Sequence, residues 1–139
     1  MKSWLGLRSD GAELERLIGF AEEFANRHDL PEGERARLLI ILEELFTNAV
    51  NYGYPDGGVG RIDVALAAKE GRIEINFCDD GKPFDPLSHP LPDLDRPPAD
   101  RAIGGLGLPL LRSLVDEGRY RRDRGRNHLA LTRNIPQPG

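Results

Sequence analysis

Residues 42–51 read LEELFTNAVN, a run that places a carboxylate and a carboxamide inside an otherwise apolar helical segment. Glu44 and Asn48 are four residues apart, and side chains at that spacing lie on the same face of an α-helix. Burying a polar group without a partner is costly, so each side chain is predicted to meet a partner or a ligand. The run therefore predicts a central helix that carries part of a site.

Two further motifs follow this helix along the chain. Residues 79–85 read DDGKPFD, an Asp-x-Gly turn at the end of a predicted strand, and residues 104–108 read GGLGL, a glycine-rich loop before a predicted helix. Backbone N–H groups at the start of a helix favour phosphate, because they are unpaired and lie at the positive end of the helix dipole. In this order the three motifs would supply a metal ligand, a base reader and a phosphate cradle.

Together the motifs resemble those of the gyrase, heat-shock-90, histidine-kinase and mismatch-repair superfamily of ATP-binding domains. Within it, the chain most resembles the small anti-sigma-factor serine kinases. The family patterns are Glu-x-x-x-Asn, Asp-x-Gly-x-Gly and Gly-x-Gly, and the resemblance covers about residues 10–134. The matching positions are Glu44, Asn48, Asp79, Gly81, Pro83 in the last slot of the second pattern, Gly105 and Gly107. One motif alone is weak, but three in order are specific.

The resemblance implies ATP and Mg²⁺ as cofactors and gives each position a role. Glu44 is the expected general base, and Asn48 the expected Mg²⁺ ligand, since Mg²⁺ prefers oxygen ligands shared with phosphates. Asp79 would accept a hydrogen bond from the exocyclic amine of adenine. Gly81 would let the backbone pass close to the base, because it has no Cβ. The other expected nucleotide-binding positions are Pro83, Gly105, Leu106, Gly107 and Leu108.

Two positions depart from the family pattern. Where the family often has His or Lys four residues after the asparagine, this chain has Tyr52, which cannot supply a permanent positive charge. Pro83 replaces a glycine of the wider superfamily, and the resemblance associates this proline with the anti-sigma kinase branch. The P-loop pattern is absent, and the glycine-rich loop lacks the third glycine of a dinucleotide fingerprint.

Hydrophobic periodicity and turn residues predict the order α-α-β-β-lid-α-β-β. The predicted helices span about 11–28, with Asp10 as a cap, then 32–52 and 106–116; the predicted strands span 61–67, 73–77, 120–123 and 128–132; the proline-rich lid spans about 86–103. This order predicts an α+β fold, a two-layer sandwich of a mixed sheet with helices on one face, as in the histidine-kinase-like ATPase (Bergerat) fold. A single domain is expected over 1–139.

Composition narrows the function classes. The chain has 139 residues, 39% of them hydrophobic and 30% charged, as in an ordinary globular domain. A net charge of −4 argues against general nucleic-acid binding, and the longest apolar run, 38–42, is too short to cross a membrane. A single cysteine, Cys78, excludes an internal disulfide, and the start of the chain lacks a signal-peptide pattern. We therefore expect a cytoplasmic protein.

The remaining charged residues are interpreted as surface features. The arginines of the last predicted hairpin favour a solvated edge or a contact with a partner protein over a nucleic-acid patch; they are Arg119, Arg121, Arg122, Arg124 and Arg126. The three histidines lack metal-ligand spacing, so no metal is assigned to His28, His89 or His128.

The function that the resemblance implies is an ATP- and Mg²⁺-dependent protein serine/threonine kinase acting as an anti-sigma regulatory factor. It would phosphorylate an anti-anti-sigma antagonist and sequester a sigma factor, as a homodimer. The alternative is a non-catalytic module whose nucleotide only orders a partner-binding surface. The presence of Glu44 favours the kinase, and Tyr52 leaves the alternative open.

Overall fold

The computed structural model describes residues 2–89 and 107–136. The strands and helices of this part, in chain order, are β1 (Ser3–Arg8), α1 (Leu14–Arg27), α2 (Glu32–Asn48), β2 (Arg61–Lys69), β3 (Arg72–Asp79), α3 (Leu108–Leu114), β4 (Glu117–Asp123) and β5 (Arg126–Asn134). A 3₁₀ turn, Gly11–Glu13, precedes α1, and a π-helical segment, Ala49–Gly53, continues α2. None of the helices in the described ranges has the length and apolar character needed to cross a bilayer.

The described strands form one sheet in the order β1-β2-β3-β5-β4, and the helices pack on one of its faces. Apolar side chains of the central strands alternate towards that face and meet the buried side of α2. The core between the layers includes Ile62, Val64, Leu66, Ile73, Ile75, Leu129, Leu131, Leu38, Ile41, Leu42 and Leu45. The predicted α+β two-layer fold is thereby confirmed. Every pairing of described strands is antiparallel, so this sheet is not the mixed sheet that was predicted. Short turns join β2 to β3 and β4 to β5, as antiparallel pairing allows.

The strand β1 is absent from the predicted order. It pairs with β2 along its whole length, and Leu7 on its inner face is 3% exposed. Its sequence, SWLGLR, has only two apolar residues in alternation and a glycine between them, which weakens a strand signal. The fold therefore begins before residue 10, where the resemblance was expected to start.

The second predicted helix, 32–52, changes hydrogen-bond register at its end. It is α-helical to Asn48 and π-helical over Ala49–Gly53. Gly53 then contacts the Asp-x-Gly turn: a Cβ added to Gly81 would lie 2.8 Å from the Cα of Gly53, and the N–H of Lys82 donates to the Gly53 carbonyl at 2.9 Å. The π segment thus brings the end of the first motif against the second, and π segments often occur at functional sites.

The other predicted helices differ at their ends. The Asp10 cap is confirmed, since its side chain accepts from the N–H of Ala12 at 3.0 Å. The last helix, α3, is shorter than 106–116 because Val115 is already extended as the chain turns towards β4. The predicted lid beyond His89 lies outside the described residues.

One ion pair joins the helical layer to the sheet at the end far from these motifs. Arg133 on β5 donates to both carboxylate oxygens of Glu34 on α2, at 2.7 and 3.2 Å, and to the carbonyl of Leu114 at 2.8 Å. Both charged side chains are largely buried. The hydrogen bonds from Arg133 hold the pKa of Glu34 below its ordinary value. The pair fixes the start of α2 and the end of α3 against β5.

Candidate nucleotide site

Asn48, the last residue of α2, is buried, and its side chain has no hydrogen-bonding partner among the described residues. Its side chain is 1% exposed, and neither its Oδ1 nor its Nδ2 meets a partner within residues 2–89 and 107–136. Buried carboxamides are almost always hydrogen-bonded, because the unpaired group loses its bonds to water. The amide oxygen therefore suits a ligand, and the chemistry of an oxygen donor fits the Mg²⁺ that the sequence predicts here.

Glu44 lies one turn earlier on α2 and contacts the third motif. A Cβ added to Gly107 would overlap the Glu44 carboxylate, although the backbone angles of Gly107 are ordinary for any residue. Gly107 is therefore required for space rather than for conformational freedom. Burial, followed by the charge of Glu43, raises the pKa of Glu44 above its ordinary value. Glu44, the predicted general base, is therefore half-buried, and its carboxylate lies against the start of α3.

Asp79 ends β3 as a buried carboxylate, 5% exposed. Its Oδ1 accepts from the N–H of Gly81 at 2.9 Å and from Nδ2 of Asn127 at 2.8 Å. Burial raises the pKa of Asp79, and these two donors oppose that rise. No donor in the described part of the chain bonds to Oδ2, so this oxygen is available to a ligand.

The neighbouring carboxylate, Asp80, has a different environment. Its Oδ1 accepts from the hydroxyl of Tyr54 at 2.5 Å and from the N–H of Arg61 at 2.9 Å. Burial and this hydrogen bond raise the pKa of Tyr54, which keeps the phenol protonated as the donor. Asp80 therefore fixes the turn to β2, and of the two adjacent acids only Asp79 lines the cavity that Asn48 also lines.

That cavity lies between α2 and the sheet and joins the first two motifs. Its walls are mostly apolar, with polar groups at a few points, but its volume of about 20 Å³ is room for about one water molecule. A nucleotide base would therefore enter only after the surrounding side chains move apart. The lining includes Leu45, Asn48, Ala49, Phe77, Asp79 and Asn127. A larger trough of about 600 Å³ lies on the opposite face of the sheet, between Trp4 and the arginines of β4, and contains none of the motif residues.

Tyr52 forms an aromatic cluster at the edge of the cavity. Its ring stacks on Phe84, with centroids 4.6 Å apart and planes within 7°, and His89 tilts against both rings. The Tyr52 hydroxyl is buried without a partner among the described residues, and burial raises its pKa. Position 52, where the resemblance leads us to expect His or Lys, therefore carries a neutral, stacked aromatic ring.

The remaining predicted nucleotide-binding positions lie in different environments. Gly81 lies in the turn against Gly53, so the space over its Cα is filled by backbone. Pro83 is exposed, and Leu108 packs fully buried in the core, so neither side chain lines the cavity. Gly105 and Leu106 lie outside the described residues. The nucleotide-binding roles of all these positions stay predictions.

Asn127 is a site residue that the sequence interpretation missed. It lies directly opposite Asp79 in the β3–β5 ladder and is 4% exposed. Besides Asp79, it bonds to backbone and side-chain groups of two segments, Lys82 and Phe84 in the loop after β3 and Tyr120 and Arg122 on β4. The alternation of β5 offered a signal, because residue 127 falls on the inward face with Leu129 and Leu131, where a polar side chain needs a partner.

One arginine of the last hairpin also reaches the site, which corrects its interpretation as a purely solvated or partner-facing edge. Arg122 donates to the carbonyl of Gly81 at 2.6 Å, whereas Arg121 pairs with Asp123 at 3.5 Å and is mostly exposed. Arg126 pairs with Asp63 on β2 at 3.0 Å. The alternation of β4 accounts for the difference, since adjacent residues of a strand point to opposite faces.

Comparison with known proteins gives the family and the fold. Residues 7–133 match the histidine kinase-like ATPase domain family. The chain belongs to this family. Nucleotide use is the property that the family and its kinases have in common.

Several curated relatives are named as protein kinases. The chain is 31% identical over 98 residues to the serine/threonine-protein kinase BtrW of Bordetella bronchiseptica, a match covering 70% of this chain and 69% of that protein. It is 30% identical over 121 residues to the serine-protein kinase RsbW of Bacillus subtilis, covering 84% and 69%. For RsbW of Oceanobacillus iheyensis the match covers only 61% of the relative.

A solved structure shares the fold. The crystal structure of the RsbU and RsbW domains of a Mycobacterium tuberculosis protein superposes with a TM-score of 0.70 at 20% identity. The match covers 99% of this chain and 33% of that chain. The fold of this chain thus matches one part of that longer protein.

Proposed function

We propose that this chain is an ATP- and Mg²⁺-dependent protein serine/threonine kinase that acts as an anti-sigma regulatory factor. The observation that carries the proposal is the buried carboxamide of Asn48, which has no partner among the described residues and shares a cavity with Asp79. In a chain of the histidine kinase-like ATPase family, the Asn48 carboxamide is suited to bind the metal on the phosphates. The Asp79 carboxylate is suited to bind the nucleotide base. The matched curated kinases, BtrW and RsbW, support the assignment to serine or threonine.

The base end of the nucleotide is recognised by Asp79. Adenine presents an exocyclic amine, a hydrogen-bond donor, where guanine presents a carbonyl oxygen. Oδ2 of Asp79, which no donor in the described part of the chain meets, would accept from the amine of adenine. Opposite guanine it would face a carbonyl oxygen, which offers no donor. The apolar side chains of Leu45, Ala49 and Phe77 would provide the walls against which a planar base packs once the cavity, about 20 Å³ in this structure, has opened.

The phosphate end is handled by Glu44 and Asn48. Oδ1 of Asn48 would hold Mg²⁺, which when bound neutralises charge on the phosphates. Glu44 accepts the proton of the substrate hydroxyl, and its raised pKa makes it a better base than an exposed carboxylate. Phosphoryl transfer depends mainly on positioning and on charge stabilisation, so the approach of Glu44 to Gly107 is part of the active geometry.

The substrate and regulatory partners follow from the same family resemblance. The substrate is an anti-anti-sigma antagonist protein, phosphorylated on serine or threonine, and the sequestered target is a sigma factor. Both interactions take place in the cytoplasm, with the kinase as a homodimer. Relatives named RsbW from several Bacillus species, at 30–34% identity, support this setting.

The test is transfer of labelled phosphate from ATP to an antagonist encoded beside this chain's gene. Glu44→Gln should bind ATP as the wild type does and lose about 10²–10⁴-fold in turnover. Glu43→Gln is the matched control, because Glu43 is the adjacent acid and is exposed. Wild-type turnover in Glu44→Gln would exclude Glu44 as the base.

Tyr52 favours one alternative function, a non-catalytic module whose nucleotide orders a partner-binding surface. Its neutral, stacked ring supplies no positive charge to the phosphates. Under this alternative, the wild type binds a partner only with ATP present and transfers no phosphate to any antagonist. The same labelled-ATP assay, combined with partner pull-down with and without ATP, separates the two functions.

A further inference from the structure

We propose that residues 84–89, the strap, close the nucleotide cavity of the free protein, and that Arg112 on α3 holds the strap in place until nucleotide displaces it. The proposal rests on the nucleotide site proposed above and adds an opening step before binding. Phe84 and Pro86 of the strap line the cavity together with Asn48. The cavity holds about 20 Å³, whereas sites for small molecules hold about 300–1,000 Å³, so a wall has to move before a base can enter.

Of the walls of this cavity, the strap is the one built to move. The walls contributed by α2 and the sheet include Leu45, Phe77 and Leu129, which are at most 5% exposed and belong to the hydrophobic core. The strap has no helix or strand, and its side chains Phe84 and Leu87 are only partly buried. Segments with few buried apolar contacts open at a lower free energy than core elements do.

Arg112 is the main polar contact between the strap and the helical layer. Its Nε donates to the carbonyl of Pro86 at 2.9 Å, and its Nη2 donates to the carbonyl of His89. Leu87 adds an apolar contact with β4, since a Cβ added to Gly118 would lie 2.9 Å from its Cδ1. Hydrogen bonds from a charged donor are stronger than those between neutral groups, so removing the guanidinium should loosen the strap.

Asp85 gives the strap a shape of its own. Its Oδ1 accepts from the N–H of Leu87 at 2.9 Å, its Oδ2 accepts from the hydroxyl of Ser88 at 2.7 Å, and its carbonyl accepts from the N–H of His89 at 2.9 Å. These bonds lie within the strap and do not depend on α3 or the sheet. The strap can therefore leave the cavity as one unit, with its turn intact.

The closed arrangement also has a cost, because it covers polar groups. The buried side-chain atoms that lack a partner among the described residues are Oδ1 and Nδ2 of Asn48 and the hydroxyl of Tyr52. The ring of Phe84 stacks on Tyr52, and Phe84 lines the cavity beside Asn48. Each covered group loses its hydrogen bonds to water, and opening the strap restores them. The contacts of Arg112 and the aromatic stack offset this cost, which leaves two arrangements that a ligand can shift.

The first test weakens the closed arrangement from outside the cavity. Association and dissociation rates are measured by stopped flow with Mg²⁺ and an ATP analogue that carries a fluorescent group on the ribose. Arg112→Gln should bind about 10-fold faster and with a correspondingly lower apparent Kd, because apparent affinity scales with the fraction of open molecules. Arg121→Gln is the matched control, since Arg121 is 68% exposed on the opposite face of the sheet, and it should bind as the wild type does. Thermal unfolding verifies that each variant is folded.

The second test strengthens the closed arrangement. Tyr52→Phe keeps the ring that stacks on Phe84 and removes the hydroxyl that the strap covers. Its association rate should fall about 10-fold, because the closed state no longer buries an unpaired hydroxyl, and its dissociation rate should stay unchanged. Faster dissociation with unchanged association would mean that the hydroxyl bonds to the nucleotide, and would contradict its place in the opening step.

The third test needs no nucleotide. The N–H of Phe84 donates to Oδ1 of Asn127 at 3.3 Å, a bond that breaks when the strap leaves. Amide exchange of Phe84, followed by NMR in the free protein, should be faster in Arg112→Gln, slower in Tyr52→Phe and unchanged in Arg121→Gln. Association in folded Arg112→Gln no faster than in the wild type would overturn the inference, as would unchanged exchange of Phe84. A wild type that binds no ATP, with the exchange rates as expected, would instead refute the proposed function.

Discussion

Replacing Asn48 with leucine is expected to stabilise the ligand-free protein and to remove its response to nucleotide. Asn48 is 1% exposed, and its amide atoms meet no partner in the described part of the chain. An unpaired buried amide costs about 1–3 kcal/mol, and leucine has a similar shape, so the free energy of unfolding should rise by that amount. For a domain of this size, each kcal/mol raises Tm by about 3 °C.

The matched control is the same substitution at the other buried asparagine of the site. Every hydrogen-bonding group of Asn127 has a partner, so Asn127→Leu leaves the N–H of Phe84, the hydroxyl of Tyr120 and the carbonyl of Lys82 without theirs. Its free energy of unfolding should fall by about 1–3 kcal/mol or more. One substitution at two buried positions is therefore expected to have opposite effects.

The assay is thermal unfolding of each variant with and without Mg²⁺ and ATP. At a nucleotide concentration 100 times its Kd, the wild type should gain about 2.7 kcal/mol, and Asn48→Leu should gain almost none. A lower Tm for Asn48→Leu than for the wild type without nucleotide would show that Asn48 is already paired in the free protein. An unchanged nucleotide response would exclude Asn48 from the site.

Three further outcomes follow from the contacts described above. Gly107→Ala should lower turnover about 10- to 100-fold with less effect on ATP binding, because its Cβ displaces the Glu44 carboxylate; equal kinetics in the phosphate-transfer assay would refute this contact. Asp79→Asn should reduce the preference for ATP over GTP by about 10- to 100-fold in calorimetry, and an unchanged preference would exclude Asp79 as the base reader. Glu34→Gln should destabilise the fold by about 3 kcal/mol at pH 7, since it leaves Arg133 buried without its counter-charge. The pKa of Glu34 is lower in the folded protein than in the unfolded one. The contribution of the Glu34–Arg133 pair to stability is therefore present above the ordinary carboxyl pKa and is lost as the pH falls through the lowered pKa. Denaturation curves of the wild type and of Glu34→Gln should converge in acid.

Side-chain periodicity predicted most of the fold. The stripes of α1 and α2 and the alternation of the two hairpins are local patterns, and each corresponds to an element of the structure. The strand β1 was missed because its alternation is short and broken by Gly6. The π-helical segment Ala49–Gly53 was missed for another reason, since a change of hydrogen-bond register leaves no mark in the spacing of apolar residues.

The candidate site could be predicted only where a motif is contiguous in sequence. Roles for Glu44, Asn48 and Asp79 could be predicted because their neighbours form recognisable patterns. Asn127 was missed because its partner, Asp79, is 48 residues away and the pairing depends on strand order. Leu108 was assigned to nucleotide by its place beside the glycines, and the direction of its side chain into the core is set by the docking of α3 on α2.

The pairing of Asp79 with Asn127 also determines when the site can form as the chain is synthesised. A nascent chain that has emerged as far as β3 contains Glu44, Asn48 and Asp79, yet the ladder that holds the Asp79 carboxylate is completed only by β5. The same strand carries Arg133, which fixes the start of α2. With the proposed roles of Asn48 and Asp79, nucleotide would therefore find a complete site only after β5 has paired with β3. It would then stabilise finished molecules in preference to incomplete ones.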